Sequence, residues 1–354
     1  MTDKGLQDTF GRQIRDLRIS VTDRCNFRCL YCLPETEEAS NFYRPRSEDP
    51  APASATKKIR YHWKPRREIL TYEEIVRFVR IAAGLGVQKL RLTGGEPLLR
   101  PHLPELIHAL ARIQGIQDLA LTSNGFGFQH QAQALYQAGL DRMTFSLDSL
   151  NRERFLKMTG RDGLEEVLQS IRLARSMGFA PIKVNAVIIR GLNDHELPDL
   201  VAFGREESVI MRFIEFMPLD AGKAWQREHV VSRQEMLSRL HQDFTLLPLG
   251  QQHAAETAQR WQHADGQGEI GIIAPVSSPF CGQCNRIRLT ADGQLRTCLF
   301  SLKEHDFKRR LREGSSDHDI AQALKEAVLS KEKGHAIGQA SFVQPERTMS
   351  FIGG

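Results

Sequence analysis

Six cysteines are the residues whose type and spacing speak most directly of chemistry, and they form two groups of three with none left over. The first group, Cys25, Cys29 and Cys32, has the spacing C-x3-C-x2-C and follows an apolar, strand-like run on what must be a tight loop. A disulfide framework needs an oxidising compartment and usually a small domain, and three cysteines within eight residues cannot all pair locally. Thiolates so clustered bind soft metals. A closed zinc site wants four ligands, and this loop has no nearby His to complete one. Three thiolates instead suit an iron-sulfur cubane with one iron left open to an exogenous ligand.

The second group, Cys281, Cys284 and Cys298, has the spacing C-x2-C-x13-C, and His305 follows at a distance that could complete a Cys3His zinc knuckle. Zinc and a second cubane both remain open on spacing alone. Between these cysteines, Arg286 and Arg288 alternate along a strand that ends in a turn at Ala291, Asp292 and Gly293, so both guanidinium groups share one face. Two like charges beside a metal site favour an anion between them, a phosphate-bearing ligand above all. The alternative is a pair of solvated arginines on an exposed strand.

The elements that must position these groups are legible as repeats. Apolar, β-rich segments recur at Leu17 to Val21, Leu90 to Thr93, Leu119 to Thr122, Met143 to Leu147, Ile182 to Ile189 and Ile210 to Met217. Helical patterns separate most of them. Thr71 with Glu74 reads as a capping box ahead of Ile75, Val79 and Ala82, and the same spacing recurs at Leu106, Leu110, Ile113 and at Leu164, Leu168, Ile171. Such β-α alternation implies a parallel sheet covered by helices, open or curled into a barrel. Functional groups then belong at the carboxyl ends of the strands, where Cys25, Gly94, Ser123 and Asp148 all fall.

Composition sets the limits. With 354 residues, 41% hydrophobic and 26% charged, the chain can bury an enzyme-sized core and is neither collagen-like nor disordered throughout. Its net charge of +5 is mild, which argues for a local anion pocket and against nucleic acid as a partner. No uncharged apolar stretch approaches the roughly 20 residues of a membrane span, and Val184 to Ile189 is bounded by Lys183 and Arg190. The N-terminal MTDKGLQDTFGRQIRD mixes both charge signs without an apolar run, so the cytoplasm is the expected compartment. Residues 35–67, rich in charge, Pro, Ala and Ser, are expected to form a mobile excursion whose basic end is a solvated face. Residues 246–269 read as loops and short strands that introduce the second cysteine group.

Cys25, Cys29 and Cys32, with Tyr31 before the third cysteine, together with LTGGEP at Leu92 to Pro97, resemble the cluster loop and glycine-rich strand end of the radical S-adenosylmethionine enzymes. The segments DLRISVTDRCNFRCLYC and FCGQCNRIRLTADGQLRTCLF and the terminal RTMSFIGG further resemble the GTP 3′,8-cyclase family of molybdenum cofactor biosynthesis, nearly end to end except for residues 35–67. That resemblance implies an α/β fold, an incomplete (β/α)6 TIM-type barrel over residues 1–230. A C-terminal extension, residues 231–354, would carry a second iron-sulfur cluster, GTP contacts and a Gly-Gly tail inserted toward the active site.

The resemblance also implies two 4Fe-4S clusters as cofactors, one per cysteine triad, and S-adenosylmethionine bound by the open iron of the first and contacted by Tyr31, Gly95, Ser146 and Met217. One-electron cleavage would yield a 5′-deoxyadenosyl radical that takes hydrogen from C3′ of GTP, after which the ribose radical attacks guanine C8. By family position GTP would meet Arg18, Arg91, Thr122, Lys183, Arg286, Ile287 and Arg288, with its guanine on the second cluster. Gly94 and Gly95 would let backbone approach the methionine moiety, although an ordinary strand-to-helix turn accounts for two glycines as well. Implied partners are an electron donor, a downstream cyclic pyranopterin monophosphate synthase and a second copy in a homodimer.

Two other readings compete: a radical peptide-modifying enzyme, which typically spends more auxiliary cysteines than the three available, and a zinc-stabilised nucleotide-binding protein without redox chemistry. Metal analysis separates them. About eight irons per chain with matching sulfide are expected for two cubanes; about four plus one zinc would mean a mixed protein, and zinc alone would refute radical chemistry.

Overall fold

The structure, a computed structural model, describes residues 5–40, 58–221 and 225–353. Six strands, β1 (Asp16–Ser20), β2 (Lys89–Thr93), β3 (Asp118–Ser123), β4 (Arg142–Ser146), β5 (Lys183–Ile188) and β6 (Ile210–Glu215), stand where the apolar segments predicted them. They pair in parallel and in sequence order. Helices join them, as the right-handed crossover of parallel strands requires. The helix Tyr72–Gly84 opens with the predicted capping box: the Thr71 side chain accepts from Glu74 N, and Glu74 accepts from Thr71 N. Such a cap is worth about 1 kcal/mol.

The C-terminal region does not form a separate sheet. It supplies β7 (Leu246–Leu249), β8 (Gln259–His263), β9 (Glu269–Ile273), β10 (Arg286–Leu289), β11 (Gln294–Arg296) and β12 (His305–Asp306). The resulting twelve-stranded sheet has the order β12-β11-β10-β1-β2-β3-β4-β5-β6-β9-β8-β7. Strand β10 joins β1 in parallel and β9 joins β6 in parallel, so the six predicted strands gain a parallel neighbour at each edge. Antiparallel strands then finish both flanks. Residues from all eight parallel strands line one cavity, which shows that the sheet curls around it.

Alternation along the strands explains both faces. In β1, Leu17 and Ile19 are fully buried in the core between sheet and helices, while Asp16, Arg18 and Ser20 take the opposite phase. The same helical layer anchors the C-terminal region, because Phe78 meets Phe307 edge to face at 5.2 Å between ring centroids and Arg312 pairs with Glu74.

Of the predicted excursion, residues 41–57 lie outside the described residues. Its flanks meet: Thr36 bridges Lys58, Ile59 N donates to Glu35 O, and Tyr61 Oη donates to Pro34 O. At its basic end Lys58, Arg60, Arg66 and Arg67 are exposed, but Trp63 stacks on Phe351. Among the described residues no helix is long and apolar enough to cross a membrane.

Candidate active site

The first cysteine triad sits on the loop after β1, and the loop is held by the strand end beside it. Gly95 N donates to Thr22 O and Glu96 N to Arg24 O, both at 2.8 Å. A Cβ on Gly95 would stand 2.1 Å from Arg24 O and 2.8 Å from Asp23 O. The chain therefore needs glycine here so that its own cysteine loop can lie against it. A turn alone does not account for that: the space a Cβ would need is taken by the backbone of Asp23 and Arg24. Glu96, buried, accepts from Leu98 N, Ser123 Oγ and Asn124 N, and burial pushes its carboxyl up to about 7.

All three thiols of this triad face the cavity. Burial pushes Cys25 up to about 12, Cys32 up to about 11 and Cys29 well above its ordinary value. Thiols so buried ionise only when a cation takes the thiolates. Tyr31 Oη donates to Asp148 Oδ2 at 2.6 Å, and Val187 N donates to Asp148 Oδ1, which fixes the ring beside the triad. Tyr31, Gly95, Ser146 and Met217 all line the cavity with the cysteines.

The second triad lines the same cavity, of about 660 Å³. Cys281 and Cys284 flank a short turn before β10, and Cys298 follows β11. Burial opposes ionisation of Cys284, but the positive charges of Arg286, Lys331 and Arg12 outweigh it and hold the thiol down at about 7. His305, the possible fourth ligand of a zinc knuckle, has its Nε2 3.2 Å from Ser330 Oγ. Among the described residues no three His, Cys, Asp or Glu side chains converge on one metal ion. A cubane asks for no such convergence, since its thiolates bind separate corners, so three soft donors per triad fit clusters.

Between the triads the sheet presents cations. Arg18 lies in register with Arg288 on one side and Arg91 on the other. Arg91 Nη1 donates to Thr122 Oγ1 and Thr144 Oγ1, both at 3.0 Å, and Arg286 Nη1 donates to Ala255 O. Burial, then repulsion from neighbouring arginines, pushes Arg91 down to about 10 and Lys183 down to about 7. Arg18 and Arg288 are lowered in the same way, and Arg18 Nε is buried with no hydrogen-bond partner. Among the described residues, none of Arg18, Arg91, Lys183, Arg286 or Arg288 has an ion-pair partner. Cations gathered without carboxylates suit a polyanion.

Every predicted substrate position lines this cavity except Ile287. Its side chain is fully buried in the hydrophobic core, because the period of two that aims Arg286 and Arg288 inward aims Ile287 outward. Only its backbone is available to a ligand. Sequence reasoning missed Arg212, which donates to Asn185 Oδ1 at 2.9 Å and which burial, then Arg91, pushes down to about 9. It also missed Arg142, paired with Asp118. Both stand on the inward phase of their strands, the phase of Lys183 and Arg91, and that alternation was the available signal.

The C-terminal helix Met349–Ile352 spans the two ends of the site. Ser350 favours the ionised form of the Cys32 thiol, and Gly353 O accepts from Arg288 Nη1. Gly353 has φ +85°, and a Cβ there would stand 2.2 Å from Ser20 Oγ. Phe351 stacks on Trp63, whose ring also stacks on Tyr61 and lies 5.8 Å from the Arg28 guanidinium carbon.

Family models agree with this layout. Residues 19–204 match the radical SAM superfamily, and residues 209–337 match Molybdenum Cofactor Synthesis C. The chain is 42% identical to the GTP 3′,8-cyclase of Streptomyces coelicolor, covering 99% of this chain and 96% of that one. It is also 42% identical to GTP 3′,8-cyclase 2 of Mycobacterium tuberculosis, covering 99% and 92%, and to the GTP 3′,8-cyclase of Rhodopirellula baltica, covering 100% and 94%. Among solved structures, Streptococcus suis SuiB bound to S-adenosylmethionine superposes with a TM-score of 0.60 at 13% identity over 95% of this chain and 76% of that one, a likeness of fold.

Gly95→Ala tests the cradle. The added Cβ meets backbone that cannot yield without moving the cysteine loop, so iron content after anaerobic reconstitution should fall by about half, with the protein folded by circular dichroism. Full iron retention in the variant would mean that the loop has room to shift.

Proposed function

The chain belongs to the radical SAM superfamily and, within it, to the GTP 3′,8-cyclases, and on that premise we propose that its cavity closes GTP to 3′,8-cyclo-dihydro-GTP, the first step of molybdenum cofactor biosynthesis. The observation that carries this reading is the union, in one cavity, of two cysteine triads and a set of half-buried and buried cations without carboxylate partners. Cys25, Cys29 and Cys32 would hold the first 4Fe-4S cluster and Cys281, Cys284 and Cys298 the second. When bound, the first supplies the electron that cleaves S-adenosylmethionine to the 5′-deoxyadenosyl radical, the hydrogen acceptor for C3′ of GTP.

The chain's own residues do the rest. Tyr31, braced by Asp148, together with Gly95, Ser146 and Met217, borders the place for S-adenosylmethionine beside the first triad. Arg18, Arg91, Lys183, Arg286 and Arg288 offer fixed positive charge to the triphosphate, which carries the negative charge they lack. Thr122 sets the direction of Arg91 by accepting its hydrogen bond. Arg212 belongs with this set. Gly353, reaching Arg288 through its carbonyl, orients one of these cations without adding a side chain to the pocket. We read residues 1–230 as the half that generates the radical and residues 231–354 as the half that holds the substrate.

The same reading brings an electron donor, a homodimer, a cytoplasmic setting in which thiols stay reduced, and a cyclic pyranopterin monophosphate synthase that consumes the product.

The experiment is turnover under anaerobic reduction with GTP and S-adenosylmethionine. The protein should release 5′-deoxyadenosine and a cyclised nucleotide that oxidises to a fluorescent pterin. Cys29→Ala should abolish S-adenosylmethionine cleavage, whereas Cys284→Ala should keep slow uncoupled cleavage and lose productive GTP binding. Equal loss of cleavage in both, with the other cluster intact by iron count, would refute the division of roles.

Lys183 makes the affinity depend on pH. With its ammonium held down at about 7 in the free protein, and raised again by a bound triphosphate, GTP binding above that pH must take up a proton. Below it the lysine is already charged. The dissociation constant for GTP should therefore rise from about pH 7 to about pH 9, by up to about tenfold per unit. Lys183→Met should bind more weakly and flatten that slope; an equally steep slope in the variant would place the titration elsewhere.

A further inference from the structure

Lys331 is a cation that neither the anion site nor the fold's ion pairs account for. It is 3% exposed, just beyond the helix Asp317–Leu329, and among the described residues no carboxylate pairs with it. Its Nζ donates to Arg286 O at 2.9 Å and also to Thr297 O. Arg286 stands two residues after Cys284 and Thr297 one residue before Cys298, so a single ammonium ties together the two segments that carry the second triad. Both thiols feel its charge.

A second buried cation completes the frame from the other end of the chain. Arg12, 6% exposed, donates to Cys281 O at 2.8 Å, to Lys333 O at 3.0 Å and to Glu332 O at 2.6 Å. Its charge is met by Asp8 at 2.5 Å. The contrast is informative. Arg12 has a carboxylate and serves as a strut, while Lys331 donates to two backbone carbonyls, which take two of its three N–H groups and leave its charge unmatched. A buried ammonium without an ion pair is costly to hold; the carboxylate of neighbouring Glu332 is engaged by Thr297 Oγ1, and the further anion that this site would gain is a cluster bearing three thiolates. Gly334 allows this segment to lie against Cys281, since a Cβ there would stand 3.0 Å from Cys281 Cβ.

We propose that Lys331 is a positioning residue and the built-in counter-ion of the second cluster, holding its two ligand segments at one distance and raising its reduction potential. The proposal rests on the reading of the second triad as a cluster site. A cubane with three thiolates gains one negative charge on reduction, so a fixed positive charge beside it favours the reduced form. The cation also makes the open iron a better acceptor for a neutral or anionic donor atom of the substrate.

The test is a potentiometric titration of the anaerobically reconstituted full-length protein, followed by electron paramagnetic resonance. The second cluster is identified as the signal that GTP perturbs, and the first as the signal that S-adenosylmethionine perturbs. Lys331→Met should move the second midpoint to more negative potential and leave the first where it was, and Lys331→Arg, which keeps the charge, should restore it. A Met variant with parental iron content and an unmoved second midpoint would overturn the proposal. Should the Met variant lose about half its iron, Lys331→Gln becomes the decisive comparison. Recovery of iron by Arg but not by Gln supports the counter-ion, whereas equal recovery by both with identical midpoints overturns it. A parent protein with only one cluster by iron and sulfide count would instead refute the cluster reading itself.

Discussion

Positive charge gathered on the wall of one cavity without matching carboxylates is the constraint on which the rest of this molecule turns. Arg18, Arg91, Lys183, Arg212 and Arg288 line one cavity, and burial together with mutual repulsion pushes every one of them down. Such an arrangement survives only where a large surrounding core holds it, because each charge taken from water costs free energy that its neighbours increase. The hydrophobic layer between sheet and helices supplies that support. Its residues alternate with the cations along the same strands, so the core that stabilises the fold and the groups that strain it are placed by one period of two.

The two cysteine triads stand at different sides of this charged interior and are electrostatically distinct. Burial dominates at Cys25, Cys29 and Cys32, whose nearest charged groups include Asp148 and Glu96. Cations outweigh burial at Cys284, where Arg286, Lys331 and Arg12 gather. In the second triad Cys298 is still pushed up by burial, with Glu332 adding to it and Lys331 opposing, so Cys284 is the thiol that the cations set apart. The lowered Cys284 thiol supports the proposed division between electron delivery at the first triad and substrate capture at the second.

Closure of the site is achieved by segments far apart in the chain. The helix Met349–Ile352 reaches Cys32 through Ser350 and Arg288 through Gly353, while Trp63, on the returning flank of the excursion, stacks on Phe351. The N-terminal Arg12 fastens Cys281 to residues 332–333. Both ends of the chain therefore converge on the same cavity, and neither is a decorative appendage to the barrel.

Much of this was legible in the order of residues. The cysteine spacings, the six apolar strand segments, the Thr71–Glu74 cap and the alternation of Arg286 with Arg288 are local signals, and local signals survive without coordinates because they arise from neighbours in the chain. The partners across the sheet were not legible. That β10 lies beside β1, setting Arg288 against Arg18, and that β9 lies beside β6 depend on pairings between residues about 270 and 60 positions apart, which no local period encodes. The reason for Gly95 was likewise hidden, since the backbone it must clear belongs to the loop of Cys25 some 70 residues earlier. The role of Lys331 was hidden too: a lysine in a polar stretch reads as solvated surface, and only the packing of the helix before it drives its ammonium between two segments it never neighbours in sequence.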